Sequence, residues 1–334
     1  MKTLLKLYGN VEKETHLLQG IVEVEGVAPG SSQKEIDKKL ESCDILLGDI
    51  EIKVDRKLLS KTRKLTAVIC RSIGVDFVDV PAATERGILV LNSPDFCVSA
   101  VAEYTIGMMF ALIRRIPQGF NAVAKGNWDA RSRLRGMEIE GRTLGVVGFG
   151  RIGRNVASIA QSLGMNILAY DPYPPTKRLP DVTITGLNDL LHQADIVTIH
   201  TPLTNNTRGM IGRQEFNLMK DGAYLINVAR GGIAEEEAIL SALKSGKLAG
   251  AALDVLTEEP PCENHALVSA TKNLNLIITP HIAWNTAEAS RRNGKVFLEQ
   301  ISALAADKIP PHVINPAAIP ELERKLHSTG YINE

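Results

Sequence analysis

The fold of this chain is most evident from Leu144-Gly-Val-Val-Gly-Phe-Gly-Arg-Ile-Gly153. This stretch consists of an apolar strand that runs into a Gly-x-Gly-x-x-Gly turn, and a helical pattern of apolar residues follows as far as Gly164. A second apolar strand, 165–170, then ends at Asp171. This order of strand, glycine turn, helix, strand and acid predicts a βαβ unit that binds a dinucleotide.

Each glycine of the turn has its own physical purpose. Gly148 allows the tight turn, Gly150 lets the backbone approach a pyrophosphate, and Gly153 lets the helix pack closely on the strand. The N-terminus of the helix directs unpaired N–H groups and the positive end of its dipole at the phosphates. The alternative is a glycine turn in an α/β domain that binds nothing, but the flanking strand, helix and acid favour dinucleotide binding.

Asp171 indicates which dinucleotide is bound. It lies about 20 residues beyond the first glycine of the motif, where a carboxylate accepts the two hydroxyls of an adenosine ribose. A 2′-phosphate would meet this negative charge, so the sequence predicts NAD, with NADP less favoured. Lys177 and Arg178 could accommodate NADP, although six and seven residues beyond the acid is a loose fit.

The composition excludes several other functions. A chain of 334 residues is long enough for two domains, and 38 basic against 38 acidic residues give no reason to expect nucleic acid or a membrane as partner. The four cysteines have neither CxxC nor metal-ligand spacing, so we expect reduced thiols in a cytoplasmic protein and no metal site. The most apolar helical segment, 100–113, is interrupted by Glu103 and predicts no membrane span.

Strand and helix patterns alternate along the chain, which predicts an α/β protein with parallel sheets wrapped by helices. One long helix is expected over 99–116, followed by a polar stretch, and a final helix over 287–306 is expected to return to the first domain. The predicted strands cover 3–8, 45–48, 67–70, 88–91, 144–147, 167–170, 196–200, 223–228, 250–255 and 276–279.

Three side chains with catalytic potential follow strand ends in the second half of the chain: Arg230, Glu259 and His281. Each alone could be an exposed arginine, an acidic turn or a capping histidine, but open α/β sheets bind ligands at this edge. Beside a nicotinamide, the three residue types suit hydride transfer between a hydroxyl and a carbonyl. A histidine exchanges the hydroxyl proton, a carboxylate orients the imidazole, and a guanidinium holds the substrate carboxylate.

Motifs along nearly the whole chain resemble the D-isomer-specific 2-hydroxyacid dehydrogenases. In the second half they are RTLGVVGFGRIGR (142–154), AYDPY (169–173), HTPLT (200–204), INVARGG (226–232), AGAALDVLTEEPP (249–261) and ITPHIAW (278–284). In the first half they are IGVDFVDVPAATERGILVLNSP (73–94) and VAEYTIG (101–107). The resemblance implies an NAD-dependent oxidoreductase that interconverts a small D-2-hydroxy acid and its 2-keto acid.

The resemblance also implies roles for individual residues. The catalytic arginine, glutamate and acid–base histidine fall on Arg230, Glu259 and His281. The cofactor contacts fall on Gly148, Gly150, Arg151, Ile152, Gly153, Asp171, His200, Thr201, Pro202, Val228, Ala229 and Asp254. Substrate contacts fall on Arg71, Ser72, Ile73, Gly74, Arg230, His281 and Trp284, with backbone N–H groups of the loop 71–74 binding an anion.

The implied architecture is two Rossmann-like or flavodoxin-like domains with parallel sheets. A discontinuous substrate domain, 1–100 and 288–334, contains the inserted NAD-binding domain, 101–287, and a cleft between them closes over the ligand. Family members usually pair through the nucleotide domain and the long helix, so a homodimer is expected.

The resemblance leaves the substrate open between two groups. The segment RRIPQGFNAVAKGNWD (114–129) looks most like the 3-phosphoglycerate dehydrogenases, and cations for a phosphate could come from Arg71, Arg131, Arg133 and Arg135. Glu85 argues against a phosphorylated substrate, because it occupies a position that is often basic. The segment HIAW (281–284) looks more like the hydroxypyruvate and glyoxylate reductases.

Two further functions are rivals. One is a corepressor-like scaffold that binds NAD(H) with little turnover, because such proteins share the fold and can retain the same three residues. The other is the oxidation of formate or phosphite, and the presence of Glu259 argues against formate oxidation.

Overall fold

A computed structural model describes residues 1–8, 10–48, 52–174, 176 and 179–328, without the side chains of 325–328. The chain divides into two compact units. The discontinuous unit comprises Met1–Phe96 and Ala287–Glu334, and the central unit comprises Cys97–Thr286. Each has its own parallel sheet.

Within the described residues the strands are β1 Thr3–Leu7, β2 Glu23–Val27, β3 Ile45–Gly48, β4 Ala67–Cys70, β5 Leu89–Leu91, β6 Thr143–Val147, β7 Asn166–Tyr170, β8 Val182–Ile184, β9 Ile196–Ile199, β10 Ala223–Asn227, β11 Leu248–Leu253 and β12 Leu276–Ile278. The α-helices are α1 Glu12–Leu17, α2 Gln33–Ser42, α3 Arg56–Ser60, α4 Val80–Glu85, α5 Val98–Ile113, α6 Ile116–Ala124, α7 Arg151–Ser162, α8 Leu187–Gln193, α9 Arg213–Leu218, α10 Glu236–Ser245, α11 Ala266–Ala270, α12 Ala287–Ala305 and α13 Ile319–Ser328. None of these helices, which cover the described residues only, is long and apolar enough to cross a membrane.

The discontinuous unit is built on a five-stranded parallel sheet in the order β2-β1-β3-β4-β5. Successive strand residues pack on opposite faces, as the twofold period of a strand requires. Leu5 and Leu46 join the core on the side of α2 and α4, whereas Leu4 and Ile45 pack with Phe297 of α12. Because helices cover both faces, the strands are continuous apolar runs. The prediction that the helix near residue 287 returns to the first domain is confirmed.

The central unit contains a seven-stranded parallel sheet in the order β12-β11-β10-β9-β6-β7-β8. The direction of strand progression reverses between β6 and β9. At such a switch point the connections from neighbouring strands leave in opposite directions, and a crevice opens beyond the carboxyl ends of the strands. Gly148 follows β6 and His200 follows β9, so the glycine turn lies at this point. The predicted α/β class with two parallel sheets is confirmed.

Several elements differ from the sequence predictions. The edge strands β2 and β8 were not predicted; β2 carries two glutamates and a glycine, which obscure its pattern. The helix predicted over 99–116 ends at Ile113, because Arg115 takes a left-handed conformation (φ 53°). Beyond it, the stretch predicted to be an irregular polar segment contains the helix α6, whose first turn includes Pro117. Proline is favourable there because its fixed φ suits a first helical turn that needs no N–H.

Candidate active site

The glycine turn after β6 has the geometry of a phosphate-binding loop. Gly148 has φ +93°, and a Cβ on it would lie 2.6 Å from the carbonyl carbon of His200. A Cβ on Gly153 would lie 2.1 Å from the carbonyl oxygen of Gly148. In contrast, a Cβ on Gly150 would meet open space. Two glycines are therefore required by close approach within the protein, and the middle one leaves room for a ligand beside the backbone.

The helix α7 supplies an anion-binding terminus next to this open space. It begins at Arg151, directly after Gly150, and runs for 12 residues. Gly150 occupies the N-cap position and has no side chain with which to cap the helix. The first N–H groups of α7 therefore lie at a place where a pyrophosphate could accept their hydrogen bonds. Arg151 and Ile152, which were predicted as phosphate contacts, lie in the first turn of this helix.

Asp171 is held at the end of β7 by two backbone hydrogen bonds. Its Oδ2 accepts from the Phe149 amide at 2.8 Å, and its Oδ1 accepts from the Tyr173 amide at 2.8 Å. A carboxylate has about four acceptor positions, so two remain for ribose hydroxyls. The turn, the helix terminus and the acid together fit an NAD molecule. Lys177 and Arg178, the candidate NADP residues, lie outside the described residues.

The opposite side of the switch point is formed by His200, Thr201 and Pro202 after β9. The imidazole Nε2 of His200 lies 2.9 Å from Thr198 Oγ1. Desolvation lowers the pKa of His200 to about 3. This histidine is therefore uncharged near neutral pH and adds no positive charge beside the glycine turn.

The backbone around Arg230 is fixed by Asn227, the last residue of β10. Its side-chain oxygen accepts from the Ala229 amide at 3.0 Å, and its Nδ2 donates to the carbonyl oxygen of Arg230 at 2.8 Å. One guanidinium nitrogen of Arg230 donates to the carbonyl oxygen of Ala229 at 2.9 Å. Val228 and Ala229, predicted cofactor contacts, lie in the same short connection. Asn227 was not predicted as a site residue, although it stands inside the INVARGG motif.

Glu259 and His281 form a hydrogen-bonded pair. Nδ1 of His281 lies 2.7 Å from Oε2 of Glu259, and Oε1 of Glu259 accepts from the Leu256 amide at 2.9 Å. With Nδ1 bound to the carboxylate, Nε2 is the ring nitrogen available for proton exchange.

The charge state of Glu259 follows from its neighbours. Burial alone would raise the pKa of Glu259, but the hydrogen bonds from His281 and Leu256 and the positive charges of His281 and Arg230 lower it below its ordinary value. Glu259 is therefore an anion over the working pH range. The charge of Arg230 is the smallest of these contributions.

Asp254 organises the turn that carries His281. Its buried carboxylate accepts from Thr279 Oγ1 at 2.6 Å and from the amides of Ile282 at 3.0 Å and Ala283 at 2.8 Å. Its carbonyl oxygen accepts from the His281 amide at 2.8 Å. These bonds hold His281 at φ 54°, a left-handed conformation that is costly for a residue with a side chain. Asp254 was predicted as a cofactor contact, and its bonds to this turn are a structural feature that the motif did not reveal.

Tyr104 of α5 also belongs to this environment. Burial and the neighbouring Asp254 carboxylate raise the pKa of its phenol, which is also hydrogen-bonded to Thr279. Sequence reasoning had placed 104 only within a family motif. Tyr104 places a phenol group in an otherwise apolar helical pattern, and this is the signal that could have identified it as a site residue. Trp284, a predicted substrate residue, lies three residues beyond His281 and is 38% exposed.

The predicted substrate loop 71–74 belongs to the discontinuous unit, and its carbonyl groups are all engaged within that unit. The carbonyl oxygen of 71 accepts from Asn293 Nδ2, and that of 72 accepts from the Ser93 amide. The carbonyl oxygen of 73 accepts from Asn92 Nδ2, and that of 74 accepts from Ser72 Oγ. A trans peptide directs its N–H opposite to its C=O. Each N–H group that follows one of these carbonyls therefore points away from the donor to that carbonyl.

The Arg71 side chain, a predicted cation for a phosphate, is committed to an internal contact. One of its terminal nitrogens lies 3.5 Å from Oε1 of the buried Glu14, and its guanidinium carbon lies 5.1 Å from the centre of the Phe297 ring. Lys6 also reaches Glu14, at 3.2 Å. The other predicted phosphate cations, Arg131, Arg133 and Arg135, are exposed in the central unit.

Glu85, at the position noted as often basic, forms a two-point ion pair with Arg56. The nitrogen–oxygen distances are 2.6 and 2.9 Å. Among the residues that the structure describes, no group of three or more His, Cys, Asp or Glu side chains could hold a metal ion.

These features define a dinucleotide-binding α/β protein with an acid–base pair at the edge of its sheet. Residues 106–283, more than half of the chain, match the family profile described as D-isomer specific 2-hydroxyacid dehydrogenase, NAD binding domain. The chain belongs to the D-isomer specific 2-hydroxyacid dehydrogenase family, and this stretch is its NAD-binding domain.

The relatives of this chain are named for several different activities. D-3-phosphoglycerate dehydrogenase of Methanocaldococcus jannaschii is 41% identical over 313 residues, which are 93% of this chain and 59% of that protein. Hydroxypyruvate reductase of Thermotoga maritima is 38% identical over 294 residues, 87% of this chain and 94% of that protein. The chain thus spans about three-fifths of the length of the archaeal phosphoglycerate dehydrogenases that it matches.

A solved structure extends the similarity to the fold of both units. The crystal structure of D-lactate dehydrogenase from Aquifex aeolicus complexed with NAD and lactic acid has a TM-score of 0.84 and 28% identity, and the match covers 93% of this chain and 99% of that one.

Proposed function

We propose that this protein is an NAD-dependent D-2-hydroxyacid dehydrogenase that interconverts a small D-2-hydroxy acid and its 2-keto acid. The observation that carries the proposal is the 2.7 Å hydrogen bond between Glu259 and His281, and Gly231, the residue after Arg230, packs against the Leu256–Thr257 peptide of the loop that leads to Glu259. All three residues follow strands of the sheet that carries the glycine turn. An acid–base histidine and a cation beside a nicotinamide site suit reversible hydride transfer at a carbonyl.

NADH, which Gly148, Gly150 and Asp171 would hold, would supply the hydride for C2 of the keto acid in the direction of reduction. Nε2 of His281 donates the proton that converts the carbonyl oxygen into a hydroxyl, and in oxidation it takes this proton back. Glu259, an anion at working pH, orients the imidazole through Nδ1 and stabilises its protonated form. The guanidinium of Arg230 holds the substrate carboxylate and polarises the C2 oxygen.

The discontinuous unit would supply the rest of substrate recognition. Its loop 71–74 has all four carbonyl oxygens engaged internally, and its N–H groups would bind the carboxylate of a 2-keto acid. We therefore propose that this unit, about 1–96 and 287–334, is the substrate domain and that 97–286 is the NAD-binding domain. Trp284 would border the same substrate.

We favour an unphosphorylated substrate of the hydroxypyruvate or glyoxylate type. Glu14 contacts Arg71 and Glu85 contacts Arg56, so two cations of the discontinuous unit have an acidic partner. The second candidate is 3-phosphoglycerate, which the 41% identity to a phosphoglycerate dehydrogenase supports.

The test is an NADH-oxidation panel with glyoxylate, hydroxypyruvate, pyruvate and 3-phosphohydroxypyruvate, repeated with inorganic phosphate as competitor. The expected result is the highest kcat/KM for hydroxypyruvate or glyoxylate, without phosphate inhibition. The highest value for the phosphorylated acid, with competition by phosphate, would assign the second candidate. Binding of NADH without turnover of any keto acid would contradict both and favour the corepressor-like scaffold.

We further propose that the protein acts as a cytoplasmic homodimer. The helix α6 exposes an apolar stripe: Ile116 is 55% exposed, Phe120 73% and Val123 55%, and Trp128 nearby is 68% exposed. Apolar residues at spacings of four and three form one helical face, and a second copy of the chain would remove it from water. Light scattering should give twice the chain mass for the parent and the chain mass for Phe120→Glu. A monomeric parent would refute the dimer. The cytoplasmic location is supported by the four free cysteines.

A further inference from the structure

A second glutamate–histidine pair lies close to the first. Glu236 is the first residue of α10, and its Oε2 lies 3.0 Å from Nε2 of His265. The side chains of Glu236 and His265 are 20% and 12% exposed. The proposed reaction assigns neither residue a function.

The other oxygen of Glu236 reaches the loop that carries Glu259. Its Oε1 accepts from the Thr257 amide at 2.6 Å. The preceding amide, that of Leu256, donates to Glu259. Two consecutive N–H groups of one loop are therefore bound by two carboxylates, one of which orients His281.

The same peptide unit is packed against the Arg230 connection. A Cβ on Gly231 would lie 2.0 Å from the carbonyl carbon of Leu256 and 2.3 Å from the Thr257 nitrogen. Gly231 directly follows Arg230, so the position of the 256–257 peptide sets how the arginine and the glutamate stand relative to each other. A side chain that fixes this peptide acts on both.

His265 in turn restricts Glu236 to one geometry. Its Nδ1 is buried and finds no hydrogen-bond partner within the described part of the chain. A proton on Nδ1 would be an unsatisfied buried donor, so the neutral tautomer with hydrogen on Nε2 is favoured. That tautomer donates to Glu236 and leaves its other oxygen directed at the Thr257 amide.

We propose that Glu236, held by His265, is a positioning residue for the group Arg230, Glu259 and His281. It acts through the 256–257 peptide and touches neither substrate nor cofactor. This inference rests on the proposed function, since the positioned residues are those assigned to catalysis.

The test compares Glu236→Ala and Glu236→Gln with Glu237→Gln, a matched change at an exposed residue of the same helical turn. Glu236→Ala should lower kcat by at least about tenfold and up to about 100-fold, because misplaced catalytic groups cost that much. The KM for the keto acid and the Kd for NADH should change less than about threefold. Glu236→Gln retains an oxygen for the Thr257 amide and should recover most of kcat. A kcat for Glu236→Ala equal to that of Glu237→Gln would overturn the proposal.

Hydrogen exchange of the segment 254–262 gives a readout that does not depend on turnover. Exchange should be faster in Glu236→Ala than in the parent and unchanged in Glu237→Gln. Unchanged exchange in Glu236→Ala would overturn the inference even if the parent reduces keto acids. A parent without turnover would instead sink the proposed function, and exchange would still decide whether Glu236 fixes the loop. If Glu236→Ala does not fold, His265→Asn is the second variant, with several-fold loss of kcat expected and parental kcat and exchange contradicting the proposal.

Discussion

The loops of the central unit and the loop 71–74 of the discontinuous unit present their functional groups in opposite ways. In the central unit, the groups proposed for the chemistry are side chains, and Glu259 is bound to His281 at 2.7 Å. In the discontinuous unit, the groups proposed for substrate recognition are backbone N–H groups, while the nearby Arg71 is turned toward Glu14. Under the proposed function, this difference would place the reaction type in one unit and the choice of substrate in the other.

The largest expected effect comes from removing the proton donor. His281→Ala should lower kcat by about 10²- to 10⁴-fold, because general acid–base catalysis is lost. Fluorescence titration should give an unchanged Kd for NADH. Ser72→Ala, in the other unit, should raise KM with a much smaller effect on kcat. If the two variants show the same pattern, the division of labour between the units is wrong.

The next effect concerns coenzyme binding by the central unit. Asp171→Ala removes an acceptor for ribose hydroxyls and should weaken NADH binding by about 10- to 100-fold, the usual cost of a lost hydrogen bond to a charged group. Binding of NADPH should weaken less or improve, because repulsion of the 2′-phosphate disappears. Titration with both coenzymes measures the ratio, and an unchanged preference would count against the ribose contact.

A smaller effect is expected in the discontinuous unit. Glu14→Gln removes the negative partner of Arg71 and Lys6, so the KM for 3-phosphohydroxypyruvate should fall several-fold, with that for glyoxylate unchanged. Glu12→Gln, on the same short helix but exposed, is the control. Equal changes for both substrates would mean that Glu14 does not affect the choice between them.

The last effect concerns the dependence of stability on pH and leaves the reaction itself unaffected. The folded pKa of His200, about 3, lies below the ordinary value of 6.5. The unfolded chain therefore binds a proton first as pH falls, and the contribution of His200 is complete above pH 6.5 and is lost toward pH 3, by up to about 1.4 kcal/mol per pH unit. Denaturant titrations at several pH values should show a shallower acid loss for His200→Gln than for the exposed His192→Gln. Identical slopes would contradict the shift.

Much of the central unit could be predicted from sequence because most of its candidate site residues follow a strand. Gly148, Asp171, Arg230 and His281 stand at ends of apolar runs, and parallel strands bring such ends to one edge. The same reasoning predicted the sheets and the return of α12 to the first unit.

What escaped prediction depends on contacts between distant segments. The bond from Glu236 to Thr257 and the contact of Glu14 with Arg71 join residues that no periodic pattern links. Asp254 was predicted as a cofactor contact, yet its bonds to the His281 turn are visible only once the turn is built. The break after Ile113 also depends on one residue, Arg115, taking a conformation that its type rarely adopts.

The most direct test of hydride transfer to C2 uses NADH that carries deuterium at both C4 positions. The protein would be incubated with this coenzyme and hydroxypyruvate or glyoxylate, and the product examined by proton and deuterium NMR. The account predicts one deuterium at C2 and, for hydroxypyruvate, only the D enantiomer of the product. Protium at C2 of the hydroxypyruvate product, glycolate without deuterium at C2, the L enantiomer, or no product from any 2-keto acid of the panel would contradict it.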